Sequence, residues 1–168
     1  MVEGYSQPVF LDTTVISNYA STDAIEFVVQ VVEAPAVVPA VRDEIEQGVD
    51  FGHEYLTRAV EAFDEGLPIS DEPAEIHGMN LSERLDSGEA EALRGAAEHD
   101  GTIATDDLAA RRLGSELDIP ITESIGLLIL GIKQSRIDTQ TADKWIENWQ
   151  NQRGYYAPVE SVAELLDG

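Results

Sequence analysis

The sequence predicts an α/β fold: a three-layer α/β/α sandwich around a short central parallel sheet. Short, wholly apolar runs alternate with longer stretches whose apolar residues recur at helical spacing, the pattern of parallel strands joined by crossover helices. Apolar residues make up 43% of the 168 positions. A chain near this length buries roughly 70% of its unfolded surface, so one domain over residues 1–168 is expected, with 138–168 a C-terminal helical extension packed on it.

The run Pro8 to Leu11 is apolar, follows a polar leader and ends at Asp12 and Thr13, so it reads as a buried strand entering a helix. Helical spacing follows over Thr13 to Ala20 and Asp23 to Val32, with Ser21 and Thr22 as the break. Ala36 to Val38 reads as a second strand. Pro39 then suits the first turn of a helix to about Gln47, closed by Gly48. Residues 51 to 65 form another amphipathic helix ending at Gly66, and Leu67 to Leu81 is mixed, with one short strand near Ile76. Asp86 to His99 opens like a capped helix, Thr102 to Ala104 is a strand, and Asp106 to Leu117 is helical. Asp118 to Thr122 gives the last strand, Ser124 to Ile132 a helix, and Thr139 to Asn151 a helix carrying Trp145 and Trp149 one turn apart. That spacing favours core or dimer packing over a base-stacking platform.

Thirty-three acidic residues stand against ten basic ones, a formal charge of −23. The acids are spread along the chain and only Lys133 and Lys144 are lysines, which fits a protein hydrated in concentrated salt, as in a halophile's cytoplasm, better than an acidic mimic of nucleic acid with its charge focused. No cysteine is present, which excludes disulfide scaffolds, thiolate-bound zinc, iron–sulfur clusters and thiol nucleophiles. The start lacks a basic leader and no stretch reaches the roughly 18 apolar residues of a membrane span, so a cytoplasmic protein is expected. His53, His77 and His99 share no metal-binding spacing.

Ligands of an open parallel sheet collect beyond the carboxyl ends of its strands, and there the sequence is acidic. Asp12 follows the first strand, Glu44 lies in the helix after the second, Glu89 begins the helix before the third, and Asp106 and Asp107 follow the third. Like charges gathered at one edge raise each other's pKa unless a cation sits among them, and an all-oxygen set suits Mg2+ or Mn2+. Each acid also has a structural reading: Glu89 three residues after Asp86 fits a capping box, and a helix dipole favours Asp106 or Asp107 near a helix start. Asp12 is harder to explain that way, because a charge directly after Val9, Phe10 and Leu11 is costly unless paired or metal-bound. Such a cluster supports phosphodiester hydrolysis. Arg42, Arg111 and Arg112 are candidates for phosphate contacts, against the alternative of ordinary pairing on helix surfaces.

The strings VFLDTTVISNY, VPAVRDEI, GEAEALRGAAEHDGTIATDDLAARRLGSELDIPIT and ESIGLLILGIKQSRID together resemble PIN-domain ribonucleases, particularly the toxin-like branch of prokaryotes. The resemblance implies an acidic quartet that binds Mg2+ or Mn2+ and cleaves RNA: Asp12, Glu44, Glu89 and Asp107, with Asp106 an adjacent second candidate. Thr13 and Thr105 match hydroxyl positions that orient those acids. It also implies a homodimer and a small antitoxin whose tail occupies the acidic groove. Glu89 stands where Asp is common, Thr14 where Asn or Ser is frequent, and Glu123 where Gly usually precedes the hydroxyl residue Ser124. Two other readings are a haloacid-dehalogenase-like phosphatase and a non-catalytic PIN-like binding protein. The first lacks the acid expected at Thr14, and the second would need one of the four acids missing.

Overall fold

The computed structural model describes residues 4–76 and 78–166. Four short strands, β1 (Val9–Leu11), β2 (Pro35–Ala36), β3 (Thr102–Ala104) and β4 (Ile121–Thr122), form one all-parallel sheet in the order β2-β1-β3-β4. Val9 pairs with Pro35 on one side and Thr102 on the other, and Ile103 pairs with Ile121. The three residues of β1 are at most 2% exposed. A strand buried on both faces needs apolar side chains in both directions, which is why VFL shows no alternation. From β1 the chain crosses to β2 at one side, and β3 lies on the other, so the connections diverge at the carboxyl ends of β1 and β3.

Eight helices flank the sheet among the described residues: α1 (Thr13–Ser21), α2 (Ile25–Val31), α3 (Pro39–Asp50), α4 (Thr57–Glu65), α5 (Ser87–Glu98), α6 (Leu108–Glu116), α7 (Ser124–Lys133) and α8 (Thr139–Arg153). Helix α5 packs on β1 and β3 and against α3 and α6, whereas α1, α2, α7 and α8 pack with one another. None of the helices is long and apolar enough to cross a membrane.

Several boundaries differ from the sequence reading. Gly48 does not close α3, which continues to Asp50; Leu56 packs against its bare Cα, where a Cβ would meet Leu56 Cδ1. The expected helix over 51–65 is a turn, a 3-10 turn at Glu54–Leu56 and then α4. The strand expected near Ile76 is absent from the described residues. Its place is taken by Ile69, which makes a single parallel bridge to Val37, with Val37 N donating to Pro68 O and Ser70 N to Val37 O. The second and fourth strands are shorter than Ala36 to Val38 and Asp118 to Thr122 suggest, and β2 begins one residue earlier.

The tryptophans belong to packing. Trp149 is fully buried, edge-on to Tyr19 at 5.0 Å and to Tyr155 at 5.4 Å, and Trp145 lies edge-on to Phe27 at 5.2 Å. Tyr19 in turn donates to Ser124 O at 2.8 Å. This aromatic cluster fixes α8 to α1. Trp149→Ala is expected to lower stability by about 3–5 kcal/mol, measured by urea denaturation; a loss below about 1 kcal/mol would show that the cluster does not hold α8.

Candidate active site

Asp12 leaves β1 and becomes the N-cap of α1. Its Oδ1 accepts from Thr13 N at 2.8 Å, and its Oδ2 accepts from Thr105 Oγ1 at 2.7 Å and, more weakly, from Thr14 Oγ1 at 3.3 Å. The residue is wholly buried. Burial pushes its carboxyl up to about 7, the bonds from Thr105 and Thr13 oppose that, and the charges of Asp86 and Glu44 add to the rise.

Glu44 reaches this edge from α3. Its Oε2 accepts from Thr13 Oγ1 at 2.6 Å and its Oε1 from Gly88 N at 2.9 Å, and burial is the main cause that raises its pKa. A Cβ on residue 88 would lie 2.5 Å from Oε1, so the close approach requires glycine. Val38, the N-cap of α3, has no capping side chain; Glu91, 5% exposed, supplies the cap from α5 by accepting from Ala40 N. The GEAEA string thus has separable parts. Gly88 admits Glu44, Glu89 joins the acids, Glu91 caps the helix that carries Glu44, and the buried Ala90 and Ala92 allow close packing. Sequence reasoning missed Glu91. Its signal was a two-residue offset from Glu89, which on a helix turns it to a different face.

Burial raises the Glu89 carboxyl to about 8, and the charges of Asp86, Asp12 and Asp107 add to the rise. Asp86 is the N-cap of α5, its Oδ1 accepting from Glu89 N at 2.9 Å. The reciprocal bond of a capping box is not formed among the described residues, so the Glu89 carboxylate is not spent on the cap. Asp86 acts on Asp12, Glu44 and Glu89 alike. The sequence reading treated it only as a cap, and the structure makes it a fifth member of the cluster.

The consecutive acids Asp106 and Asp107 enter different networks. Asp107 caps α6 through Oδ2, which accepts from Ala110 N at 2.9 Å, while its backbone N donates to Thr105 Oγ1 at 3.1 Å and its charge acts on Glu89. Asp106 Oδ1 accepts from Ser124 N, and its Oδ2 accepts from Asn18 Nδ2 and Ser124 Oγ. Burial raises its pKa, the Ser124 bonds lower it, and the charges that bear on it are Glu123 and Arg111 rather than the cluster. Thr14 links the two networks, its Oγ1 accepting from Asp106 N at 3.0 Å and donating to Asp12.

The arginines expected near phosphate are partly committed. Arg42 pairs with its neighbour Asp43 at 3.1 Å and Arg111 with Glu123, whereas Arg112 is exposed and in no ion pair among the described residues. Glu123, which stands where Gly is usual, is thereby paired. His99 stacks on Phe10, His53 lies edge-on to Tyr55, and His77 falls outside the described residues. Among the described residues no ion pair includes Asp12, Glu44, Asp86, Glu89 or Asp107, and no three Asp, Glu or His side chains are already disposed to hold a metal ion.

With a folded pKa of about 7 against 3.8, the native protein holds a proton on Asp12 that the unfolded chain has lost between about pH 4 and pH 7, so stability falls as pH rises through that window. Asn caps a helix as well as Asp does. Asp12→Asn is therefore expected to be more stable than the parent at pH 8 by about 2–4 kcal/mol, the gap closing near pH 4. Denaturation across pH checks this, and a gap independent of pH would contradict it.

Against this geometry, the PIN-domain family model matches residues 8–167, nearly the whole chain, while no curated protein matches it. The fold is generally a nuclease fold, and its all-parallel sheet flanked by helices is the one described above. The chain belongs to the PIN-domain family.

Proposed function

We propose that the protein is a metal-dependent ribonuclease that hydrolyses RNA phosphodiester bonds with Mg2+ or Mn2+ held by Asp12, Glu44, Glu89 and Asp107, with Asp86 beside them. The observation that carries the reading is the convergence of five carboxylates from four separate segments at the point where the sheet connections diverge, none of them in an ion pair among the described residues. The donor set is all hard oxygen, the chemistry that Mg2+ and Mn2+ select.

The bound ion would supply polarisation of the phosphate and an activated water. The chain's own residues do the positioning. Thr105 holds Asp12 and Thr13 holds Glu44, each by a hydroxyl that donates to one carboxylate oxygen and leaves lone pairs free. Asp86, the exposed acid of the cluster, is the one left to take the proton of the attacking water. Asp106 is a positioning residue, since its oxygens are bonded to Ser124 and Asn18.

The finer reading is a toxin restrained by a small antitoxin, acting as a homodimer in a salt-rich cytoplasm. It rests on the resemblance to the toxin-like branch and on acids dispersed along the chain. The phosphatase alternative is disfavoured because the position two after Asp12 is Thr14, whose hydroxyl is engaged with Asp12 and Asp106. The non-catalytic alternative is disfavoured because all four acids of the quartet are present.

Labelled single-stranded RNA in molar potassium chloride, with manganese or with chelator, is the test. Asp12→Asn and Asp107→Asn are each expected to lower cleavage by about 100-fold or more with the fold retained, and Asp106→Asn to act mainly by lowering stability, by about 1–3 kcal/mol. Full manganese-dependent cleavage by Asp12→Asn would contradict the assignment.

A further inference from the structure

Five of the eight arginines, Arg42, Arg58, Arg84, Arg94 and Arg111, are paired with carboxylates. Arg153, in the last turn of α8, is held differently. Its Nε donates to Asn18 Oδ1 at 2.8 Å and its Nη1 to Tyr55 OH at 2.6 Å, and the guanidinium lies over the Tyr55 ring, 5.7 Å from its centroid. Both partners are neutral, so the positive charge is fixed in place without being cancelled. Its Nη2 donates to no atom among the described residues and is not one of the buried unpartnered atoms. In a chain of charge −23 with abundant carboxylates, a held but unneutralised guanidinium is an anion site in waiting.

Its position relative to the acids follows from the hydrogen bonds. Asn18 turns its amide oxygen to Arg153 and its amide nitrogen to Asp106 Oδ2 and Ser124 Oγ, the one orientation that satisfies both sides. Asp106 N donates to Thr14 Oγ1, and Thr14 donates to Asp12. Arg153 is thus joined to Asp12 through three intervening residues. The turn after it is also set, because Gly154 ends α8 in the left-handed conformation at φ 65° and Tyr155 folds back edge-on to Trp149.

We propose that Arg153 binds a backbone phosphate of single-stranded RNA flanking the one that is cut, positioning the strand across the carboxylate cluster. This rests on the ribonuclease reading. A planar guanidinium offers paired donors that match phosphate geometry, and its charge is tied to the acids through Asn18, Asp106 and Thr14 without pairing with any of them. It is a positioning residue for substrate, so its loss weakens binding of every RNA sequence alike and leaves the chemistry intact.

The test follows RNA cleavage by the full chain with manganese at several potassium chloride concentrations. Arg153→Gln is expected to raise KM about tenfold with kcat little changed, and to flatten the slope of log affinity against log salt by about 0.7, one single-strand phosphate contact. Arg153→Met keeps the stem over Tyr55 and is expected to do the same, so the comparison survives if the Gln variant does not fold. Arg153→Lys should recover much of the affinity. Arg58→Gln removes an arginine that anchors α4 to Ala20 O and pairs with Asp23, and should change neither KM nor slope. Cleavage by the parent with unaltered KM and salt slope in the Gln and Met variants overturns the role of Arg153 and leaves the ribonuclease reading standing. A parent that neither binds nor cleaves any RNA overturns both.

Discussion

The hydrogen bond from Thr105 Oγ1 to Asp12 Oδ2 joins the first residue beyond β1 to the first beyond β3, at the place where the sheet connections part. The pair is fully buried, and around it every other functional placement is arranged. Thr13, next to Asp12, holds Glu44. Thr105 also receives the backbone N–H of Asp107, so one hydroxyl orients an acid on each of two strands. A buried carboxylate with hydroxyl and amide donors but no cation is tolerated at the cost of a raised pKa. That cost has a physical use in a site that exchanges protons for a divalent ion.

Helix termini make the crowd of acids bearable. Asp12, Asp86 and Asp107 are the N-caps of α1, α5 and α6, so three positive helix ends point toward the cluster. Asp86 and Asp107 each cap through one oxygen, and the other accepts no hydrogen bond among the described residues. Capping therefore does not compete with the metal-binding role proposed for these residues. The same economy appears in α5, where Gly88, Glu89 and Glu91 each serve a different neighbour. Glu91 sets the start of α3 and so the reach of Glu44.

Much of this was legible in the sequence where one local pattern dominates. β3 falls on Thr102–Ala104 as read, and β1 and the start of α1 follow from an apolar run ending in Asp-Thr-Thr. Reading failed where the determining partner is remote. Ile69 makes one bridge to Val37 and has no period to show for it. Gly48 looks like a helix stop but is bare to receive Leu56. Asp86 carries the signature of a cap, and nothing local says that its charge also meets three other acids. The separate fates of Asp106 and Asp107 depend on Asn18 and Ser124, and Arg153 depends on Asn18 at a separation of 135 residues, with no trace in spacing.

The central claim is that the raised, unneutralised carboxylates are a site for a divalent cation that displaces their protons. Calorimetric titration of the protein with manganese near pH 7, in buffers of different ionisation heat, measures proton release on binding directly. The account expects saturable binding that releases about one proton, since groups titrating near 7 and 8 must ionise to accept the metal, and that strengthens as pH rises from 6 to 8. Absence of binding, or binding with no proton release across that range, would contradict it.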